Sequence, residues 1–219
     1  MIDLRLYAIV DPQRAGAYAL SDLARAVANG GATLVQLRDK LSDTRHLIDE
    51  ARAIKNALIP SGVPLLINDR VDVALASSAD GVHVGQDDMG IEDVRRLLGP
   101  KAIIGLSIKT IAQAEAAPTD LLDYVGIGGV FATSSKKNPD PPIGVYGLAR
   151  IAGVFRRRAP KLPLVAIAGI EAGNAADVIA AGADGIAVIS ALSLQADAAA
   201  AARALRGIVD AALAKRGQA

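Results

Sequence analysis

The chain has 219 residues, no cysteine and a net charge of +1 at pH 7. The near-neutral charge argues against a general nucleic-acid-binding surface, and the missing cysteines exclude disulfides, thiolate nucleophiles and thiolate metal sites. Hydrophobic residues make up 52% of the chain and aromatic residues only 3%, which predicts a core filled by Ala, Val, Ile and Leu.

The sequence shows no sign of a membrane or secretory segment. No apolar run reaches the roughly 18–20 residues that span a bilayer, and residues 1–11 enter a strand pattern directly, which disfavours a signal peptide. We therefore expect a cytoplasmic protein with no membrane partner. Two widely separated histidines argue against a zinc site and favour a hard cation on oxygen ligands, if a metal is bound.

Short apolar strand patterns alternate with helical patterns along the whole chain. The predicted strands are Leu4–Val10, Thr33–Leu37, Pro64–Ile67, Gly81–Val84, Ala102–Leu106, Tyr124–Ile127, Leu164–Ala168 and Gly185–Ile189. The predicted helices are Leu20–Asn29, Thr44–Leu58, Val71–Ala76, Ile91–Leu98, Ile111–Ala116, Tyr146–Arg157, Ala172–Ala181 and Ala196–Ala214. This alternation predicts an α/β protein whose parallel strands are joined by crossover helices.

An internal repeat favours a closed barrel over an open sheet. The odd strands align with one another as LYAIVD, PLLIND, AIIGLS and LVAIAG, and the even strands as ATLVQL, ADGVHV, LDYVGI and ADGIAV. Two alternating classes of four strands are typical of a (β/α)8 TIM barrel, whose interior layers draw side chains from alternate strands. We expect one such domain over residues 1–219. The alignment also puts four strand ends at one level: Asp11, Asp69, Ser107 and Gly169. Chance similarity between short apolar runs is the alternative.

The second strand carries a polar row that predicts an anion site. Gln36, Arg38 and Lys40 share one face because side chains alternate along a strand, and the intervening Val35 and Leu37 should face the helices. An amide and two cations in line suit a polyanion such as pyrophosphate. The alternative is a salt-bridged barrel rim that involves the adjacent Asp39.

Two carboxylates follow neighbouring strands and predict a magnesium site. Asp69 and Asp88 leave the third and fourth strands at the same edge, where ligands bind in α/β proteins. A Mg²⁺ ion, completed by waters and phosphate oxygens, would offset their repulsion. The alternatives are a helix cap for Asp69 and a solvated loop for Asp87 and Asp88.

A second anion site is expected on the other side of the mouth. Residues 129–144 form the longest stretch without periodicity and offer Thr133, Ser134, Ser135 and Lys136, so we interpret them as a mobile lid or, alternatively, a plain flexible loop. Gly169 and Ile189–Ser190 follow the last two strands, which often form a phosphate cradle in barrels. His83, on the inner face of the fourth strand, fits a core histidine better than a catalytic one.

Six segments in order together resemble the thiamine-phosphate synthase family over nearly the whole chain. They are Gln36–Lys40, Ile67–Arg70, Gly81–Asp88, Thr133–Lys136, Ala166–Ile170 and Gly182–Ser190. The resemblance implies a (β/α)8 transferase of thiamine biosynthesis. It would join 4-amino-5-hydroxymethyl-2-methylpyrimidine diphosphate to a thiazole phosphate, by dissociative substitution, to give thiamine phosphate and pyrophosphate.

The resemblance also implies residue roles. The pyrimidine diphosphate would be bound by Gln36, Leu37, Arg38, Asp39, Lys40, Asn68, Ser107 and Lys136, of which Arg38, Lys40, Ser107 and Lys136 would be catalytic. The thiazole phosphate would be bound by Thr133, Ser134, Ser135, Gly169, Ile189 and Ser190. Asp69 and Asp88 would bind Mg²⁺. The partners are then two phosphorylated small molecules; whether the chain forms a homo-oligomer stays open.

Two departures from the family pattern bear on this resemblance. Ala168-Gly169 replaces the usual Gly-Gly, and Lys109 stands where a histidine often lies. Related tautomerases rely on a histidine in that region and lack the paired aspartates, so the synthase is favoured over a tautomerase-like or non-catalytic paralogue. A different phosphate-binding barrel enzyme and a regulatory ligand-binding barrel are further alternatives.

Overall fold

The structure, a computed structural model, describes residues 2–135 and 141–217 and contains a closed barrel of eight parallel strands in chain order. This confirms the predicted (β/α)8 TIM barrel. The strands are β1 (Leu6–Val10), β2 (Leu34–Leu37), β3 (Leu65–Asn68), β4 (Gly81–Val84), β5 (Ile103–Ile108), β6 (Tyr124–Gly128), β7 (Leu164–Ile167) and β8 (Gly185–Val188).

Helices follow the strands and form the outer layer. They are α1 (Leu20–Asn29), α2 (Thr44–Leu58), α3 (Val71–Ser77), α4 (Ile91–Leu98), α5 (Ile111–Ala116), α6 (Gly144–Arg158), α7 (Ala175–Ala180), α8 (Ser190–Ser193) and α9 (Ala198–Gly217), with 3-10 turns at Pro12–Arg14 and Ile59–Ser61. The short α8 directly after β8 was not predicted, because four residues are too few to show a helical period. None of the described helices is long and apolar enough to cross a membrane.

From one even strand to the next, the inward-facing side chains of one layer are offset by two residues along the strand between them. Gln36 on β2 pairs with Leu66 on β3, whereas His83 on β4 pairs with Asn68, two residues further along β3. Four such steps around the circuit give an offset of about eight residues, the shear typical of an eight-stranded barrel. Inward-facing side chains therefore form layers drawn from alternate strands, as the repeat predicted.

Two of these layers position the candidate site. The even strands contribute Gln36, His83, Gly126 and Ala187, which form the lower layer. The odd strands contribute Ile9, Asn68, Ser107 and Ile167, which form the layer nearer the carboxyl ends of the strands. Polar groups thus replace hydrocarbon in both layers as the mouth is approached.

The expected common level of four strand ends is wrong for two of them. Ser107 lies in the layer of Asn68, one inward-facing position below Asp11 and Gly169, and Asp69 directly follows Asn68. The alignment matched the first apolar residue of each run, whereas β3 and β5 are fixed to their neighbours one and two residues later. The shift brings Ser107 into the barrel instead of leaving it at the rim.

A repeated pair of hydrogen bonds fixes each odd strand at the amino end of the barrel. The side chain of the residue before each even strand accepts a hydrogen bond from a backbone N–H of the preceding odd strand. The backbone N–H of that residue donates to the carbonyl oxygen of the same odd-strand residue. The accepting side chains are Thr33 to Leu6 (3.2 Å), Asp80 to Leu65 (2.7 Å), Asp123 to Ile104 (2.8 Å) and Asp184 to Leu164 (2.9 Å). The predicted fourfold repeat is therefore present in the bonding as well as in the sequence.

The apolar core has two parts. The larger lies between barrel and helices; the smaller fills the barrel interior around Leu34, Leu66 and Val165. Tyr7 and Tyr124 also lie in this interior, 1% and 0% exposed, so the expectation of a purely aliphatic core is wrong there. The other fully buried aromatic residue, Phe155, belongs to the larger cluster between barrel and helices.

Candidate functional site

A cavity of about 220 Å³ opens at the carboxyl ends of the strands. It lies inside the barrel mouth, where ligands bind in this fold. Its lining includes these predicted site residues: Gln36, Arg38, Asn68, Ser107, Thr133, Ser134, Ser135, Gly169, Ile189 and Ser190. The structure thus brings together predicted site residues from five strands (β2, β3, β5, β7 and β8) and from the segment after β6.

The polar row on β2 rises from the interior to the rim, as predicted. Gln36 is 2% exposed, whereas the side chains of Arg38 and Lys40 are 16% and 52% exposed. Arg38 forms an ion pair with the buried Asp11, and Lys40 Nζ lies 2.7 Å from Asp69 Oδ2. Both cations are therefore held in place by carboxylates at the end of a strand, with their donors at the mouth.

Among the described residues, Asp39 forms no salt bridge at the rim. The carboxylate of Asp39 accepts hydrogen bonds from the backbone N–H groups of Leu41 (2.9 Å) and Ser42 (3.1 Å), which shapes the loop after β2. Leu37 is fully buried between barrel and helices, so any contact with a ligand would come from its backbone. Neither Leu37 nor Asp39 is among the described residues that line the cavity, so the expectation that their side chains bind the diphosphate is not met.

The carboxyl groups of Asp69 and Asp88 are close neighbours at the rim, beside the cavity. Burial raises the pKa of Asp69, and the neighbouring Asp88 carboxylate adds to this, while Lys40 acts in the opposite direction. Asp88 also accepts a hydrogen bond of 2.8 Å from Gly85 N, which closes the turn after β4. A cation between the two carboxylates would offset their repulsion.

The donor set at this pair fits a cation bound partly by other ligands. Within residues 2–135 and 141–217, no three His, Cys, Asp or Glu side chains are grouped so that they could hold a metal ion. Mg²⁺ is commonly bound through one or two carboxylates, with waters and substrate phosphates as the remaining ligands. Asp69 and Asp88 meet that requirement, and a complete protein cage is not needed.

The opposite side of the cavity is built from hydroxyls and close backbone. Ser135 Oγ donates to Ser190 Oγ at 3.3 Å, which joins the segment after β6 to the start of α8. Gly169 has φ 66°, and a Cβ there would lie 2.4 Å from the carbonyl oxygen of Ala132, so only glycine fits. Neutral donors and exposed backbone on this side suit a phosphate monoester.

Part of the predicted lid falls outside the described residues. Lys136, expected to be catalytic, is one of residues 136–140, whose structure is not described. Residues 132–135 line the cavity, and α6 begins at Gly144.

The structure adds two candidate site residues to which the sequence analysis gave no role. Asp11 is 2% exposed and is the partner of Arg38, and Gln86 Nε2 donates to the carbonyl oxygen of Ser107 at 2.7 Å. Asp11 ends β1 at the same edge as Asp69, which was a signal for its position. His83 bonds through both ring nitrogens, in agreement with the preferred interpretation as a satisfied core histidine.

Comparison with known proteins identifies the family. The family model described as thiamine monophosphate synthase matches residues 6–192. The chain belongs to this family. It is 52% identical over 215 residues to the thiamine-phosphate synthase of Agrobacterium fabrum, covering 98% of each chain, and 47% identical over 208 residues to that of Albidiferax ferrireducens, covering 95% of this chain and 93% of the relative.

A solved structure agrees with the fold over the same length. The thiamine phosphate pyrophosphorylase from Pyrococcus furiosus superposes with a TM-score of 0.84 at 36% identity, covering 97% of this chain and 98% of the other. The family resemblance drawn from six short segments is therefore confirmed. The relatives are transferases of thiamine biosynthesis, and this chain is an enzyme of the transferase class.

Proposed function

We propose that the chain is a thiamine-phosphate synthase. It condenses 4-amino-5-hydroxymethyl-2-methylpyrimidine diphosphate with thiazole phosphate, in a Mg²⁺-dependent reaction, to give thiamine phosphate and pyrophosphate. One observation carries the proposal: Arg38 lines the cavity, with Lys40, Asp69 and Asp88 grouped beside it at the rim, and the hydroxyl-bearing Thr133, Ser134, Ser135 and Ser190 line the same cavity. Two anionic substrates need two such anion sites.

The first anion site holds the diphosphate. Arg38 offers a planar fork of donors and Lys40 a point charge, so together they bind oxygens that gain charge as the carbon–oxygen bond breaks. Asp69 and Asp88 would hold Mg²⁺, which when bound neutralises further charge on the departing pyrophosphate. Ser107 and Asn68, one layer lower, face the pyrimidine ring, and Lys136 completes the set from the segment after β6.

The second site holds the nucleophile. Thr133, Ser134 and Ser135 with the backbone at Gly169, Ile189 and Ser190 bind the thiazole phosphate and direct the thiazole nitrogen at the methylene carbon. The substitution is dissociative because the aminopyrimidine ring can carry the cation left by pyrophosphate. No protein nucleophile is required, and residues 129–144 act as a lid that excludes water from the cation.

Coupled turnover tests this proposal. Purified protein is incubated with each substrate alone and with both, with and without Mg²⁺, and pyrophosphate and thiamine phosphate are measured. Release of pyrophosphate only when both substrates and Mg²⁺ are present is the expected result. Binding of either substrate without coupling would instead support a non-catalytic or tautomerase-like paralogue.

Three aspartate variants test the metal assignment. Asp69→Asn and Asp88→Asn should each lower kcat by at least about 100-fold, because a metal-bound leaving group accounts for several kcal/mol of the barrier. Asp87→Asn is the matched control, since Asp87 is an exposed neighbour of Asp88. Asparagine is preferred to alanine at position 69 because φ is 62° there, which asparagine tolerates. Near-wild-type turnover of Asp69→Asn would remove the metal assignment.

A further inference from the structure

Five side chains form a continuous hydrogen-bonded chain across the barrel beneath the cavity. Gln36 Nε2 donates to Tyr7 Oη, which lies 2.9 Å from Tyr124 Oη. Tyr124 Oη lies 2.8 Å from His83 Nδ1, and His83 Nε2 lies 2.8 Å from Ser107 Oγ. The chain therefore begins on β2 and ends on β5, and both of its ends line the cavity.

The barrel makes room for this chain by omitting side chains. A Cβ at Gly105 would lie 2.1 Å from Tyr124 Cζ, and one at Gly126 would lie 3.0 Å from His83 Cε1. The imidazole of His83 stacks on the Tyr124 ring at a centroid distance of 5.5 Å. The tyrosine hydroxyls, the imidazole and the Gln36 amide are thus held in fixed positions within a buried layer.

The order of donors along the chain follows from its first bond. Because the Gln36 amide donates to Tyr7, the Tyr7 proton points to Tyr124, the Tyr124 proton to His83 Nδ1, and the His83 proton sits on Nε2. If Tyr124 donated to Tyr7 instead, the buried Tyr7 hydroxyl would lose its acceptor along the chain, and an unsatisfied buried hydroxyl is costly. Burial raises the pKa of both tyrosines, so both stay protonated as donors.

The two ends of the chain are therefore unlike. Ser107 Oγ accepts from His83 and keeps its own proton to donate into the cavity. Gln36 uses an amide N–H on Tyr7 and keeps its carbonyl oxygen as an acceptor. If the Gln36 amide were rotated so that its oxygen faced Tyr7, the direction of every hydrogen bond in the series would reverse. Ser107 would then present an acceptor to the cavity and Gln36 a donor. In either direction the cavity has one donor and one acceptor on opposite walls.

We propose that Tyr7, Tyr124 and His83 are positioning residues that couple the orientation of the Gln36 amide to the direction of the Ser107 hydroxyl. The ligand they select is a flat ring with a donor and an acceptor at opposite edges. The aminopyrimidine fits, since its exocyclic amine can donate to Gln36 while the ring nitrogen opposite accepts from Ser107. The ring assignment rests on the proposed function; the coupling itself does not.

Histidine tautomers measured by NMR test the coupling in the free protein. With ¹⁵N-labelled imidazole at pH 8, wild-type His83 should be protonated at Nε2. Gln36→Glu provides an acceptor at the first position, so it should reverse the chain and move the proton to Nδ1, although residue 36 does not bond to His83. Adding Tyr7→Phe to Gln36→Glu interrupts the chain and should return the proton to Nε2. An unchanged tautomer in folded Gln36→Glu overturns the proposal, as does wild-type protonation at Nδ1.

A second variant covers the case in which the buried carboxylate of Gln36→Glu prevents folding. Tyr124→Phe keeps the ring and removes the central hydroxyl, so His83 should become a mixture of tautomers. It should also raise KM for the pyrimidine diphosphate about 3- to 10-fold, as expected for one neutral hydrogen bond, with KM for the thiazole phosphate unchanged. Tyr18→Phe is the control, because it loses a hydrogen bond to the Ala196 carbonyl oxygen that does not belong to this series of hydrogen bonds. Equal effects on both substrates or an unchanged tautomer would refute the positioning role.

The two proposals fail separately. If wild-type protein forms no thiamine phosphate, the proposed function is wrong, while the tautomer reversal in Gln36→Glu can still be observed. If turnover is normal and the tautomer does not respond, only the coupling is wrong.

Discussion

Removal of the Asp184 carboxylate should destabilise the barrel at the end opposite the cavity. This side chain accepts from Leu164 N at 2.9 Å, from Arg156 at 2.7 Å and from Arg216 at 2.8 Å. In Asp184→Ala the Leu164 N–H loses its partner, at a cost of about 1–3 kcal/mol. Asp184 and both arginines are about one-third exposed, so each lost ion pair adds no more than about 0.2–1 kcal/mol.

The expected total is about 1.5–5 kcal/mol, or a decrease in Tm of roughly 3–20 °C for a domain of this size. Thermal and urea unfolding measure it, with Asp49→Ala as the control, because the ion pair that Asp49 forms in the described part of the chain is an exposed one, with Arg52 at 3.6 Å. That control should lose about 0.5 kcal/mol or less. Because Asp184 is far from the mouth, kcat at 25 °C should not change. A loss no greater than in Asp49→Ala would refute the reasoning.

Three further predictions concern the cavity and its surroundings. Ala168 has φ 84°, so Ala168→Gly should relieve strain and raise stability by about 0.5–1 kcal/mol, and an unchanged or lower Tm would contradict this. Gly105→Ala should lower the free energy of unfolding by at least about 3 kcal/mol and reduce turnover, since Tyr124 must move. Gly207→Ala, where a Cβ on α9 meets open space, should instead stabilise the protein by about 0.5–1 kcal/mol. Similar Tm shifts in the two variants would argue against the close packing at Gly105. Burial raises the pKa of Asp69 above its ordinary 3.8, so the folded state keeps a proton that the unfolded state releases, and the stability of the wild type falls as pH rises through that interval. In metal-free buffer, the Tm of Asp69→Asn relative to wild type should therefore increase from about pH 4 to neutrality. Parallel pH profiles of the two proteins would exclude the effect.

The sequence was sufficient for the fold because the information is local and repeated. Each strand is short, apolar and bounded by polar residues, and the fourfold repeat favours a closed barrel over an open sheet. The height of Ser107 along the barrel axis could not be predicted. It depends on the register of β5, and this register depends on which backbone N–H of β5 donates to the side chain that precedes β6. The alignment used apolar runs, while the register of β5 is set by Asp123 and Ile104.

The candidate site was predictable where polar residues break the apolar pattern. Gln36, Arg38 and Lys40 lie in a strand that should be apolar, and Asp69 and Asp88 follow strands at one edge. Partners from distant strands could not be predicted in this way. The pairing of Arg38 with Asp11 and the interior position of Tyr7 and Tyr124 depend on barrel closure, which brings β1 beside both β2 and β8.

The two tyrosines inside the barrel also determine how deep the cavity can be. Their rings are nearly perpendicular, at 81°, and lie beneath the cavity, where they are hydrogen-bonded to the lining residues Gln36 and His83; Leu34, Leu66 and Val165 belong to the same interior cluster. Depth is thus decided by a few side chains that take no part in helix packing. A shorter side chain in place of either tyrosine would deepen the cavity without moving the anion sites at the rim. Substituents of different length on the bound ring could then be accommodated while the mouth of the barrel stays unchanged.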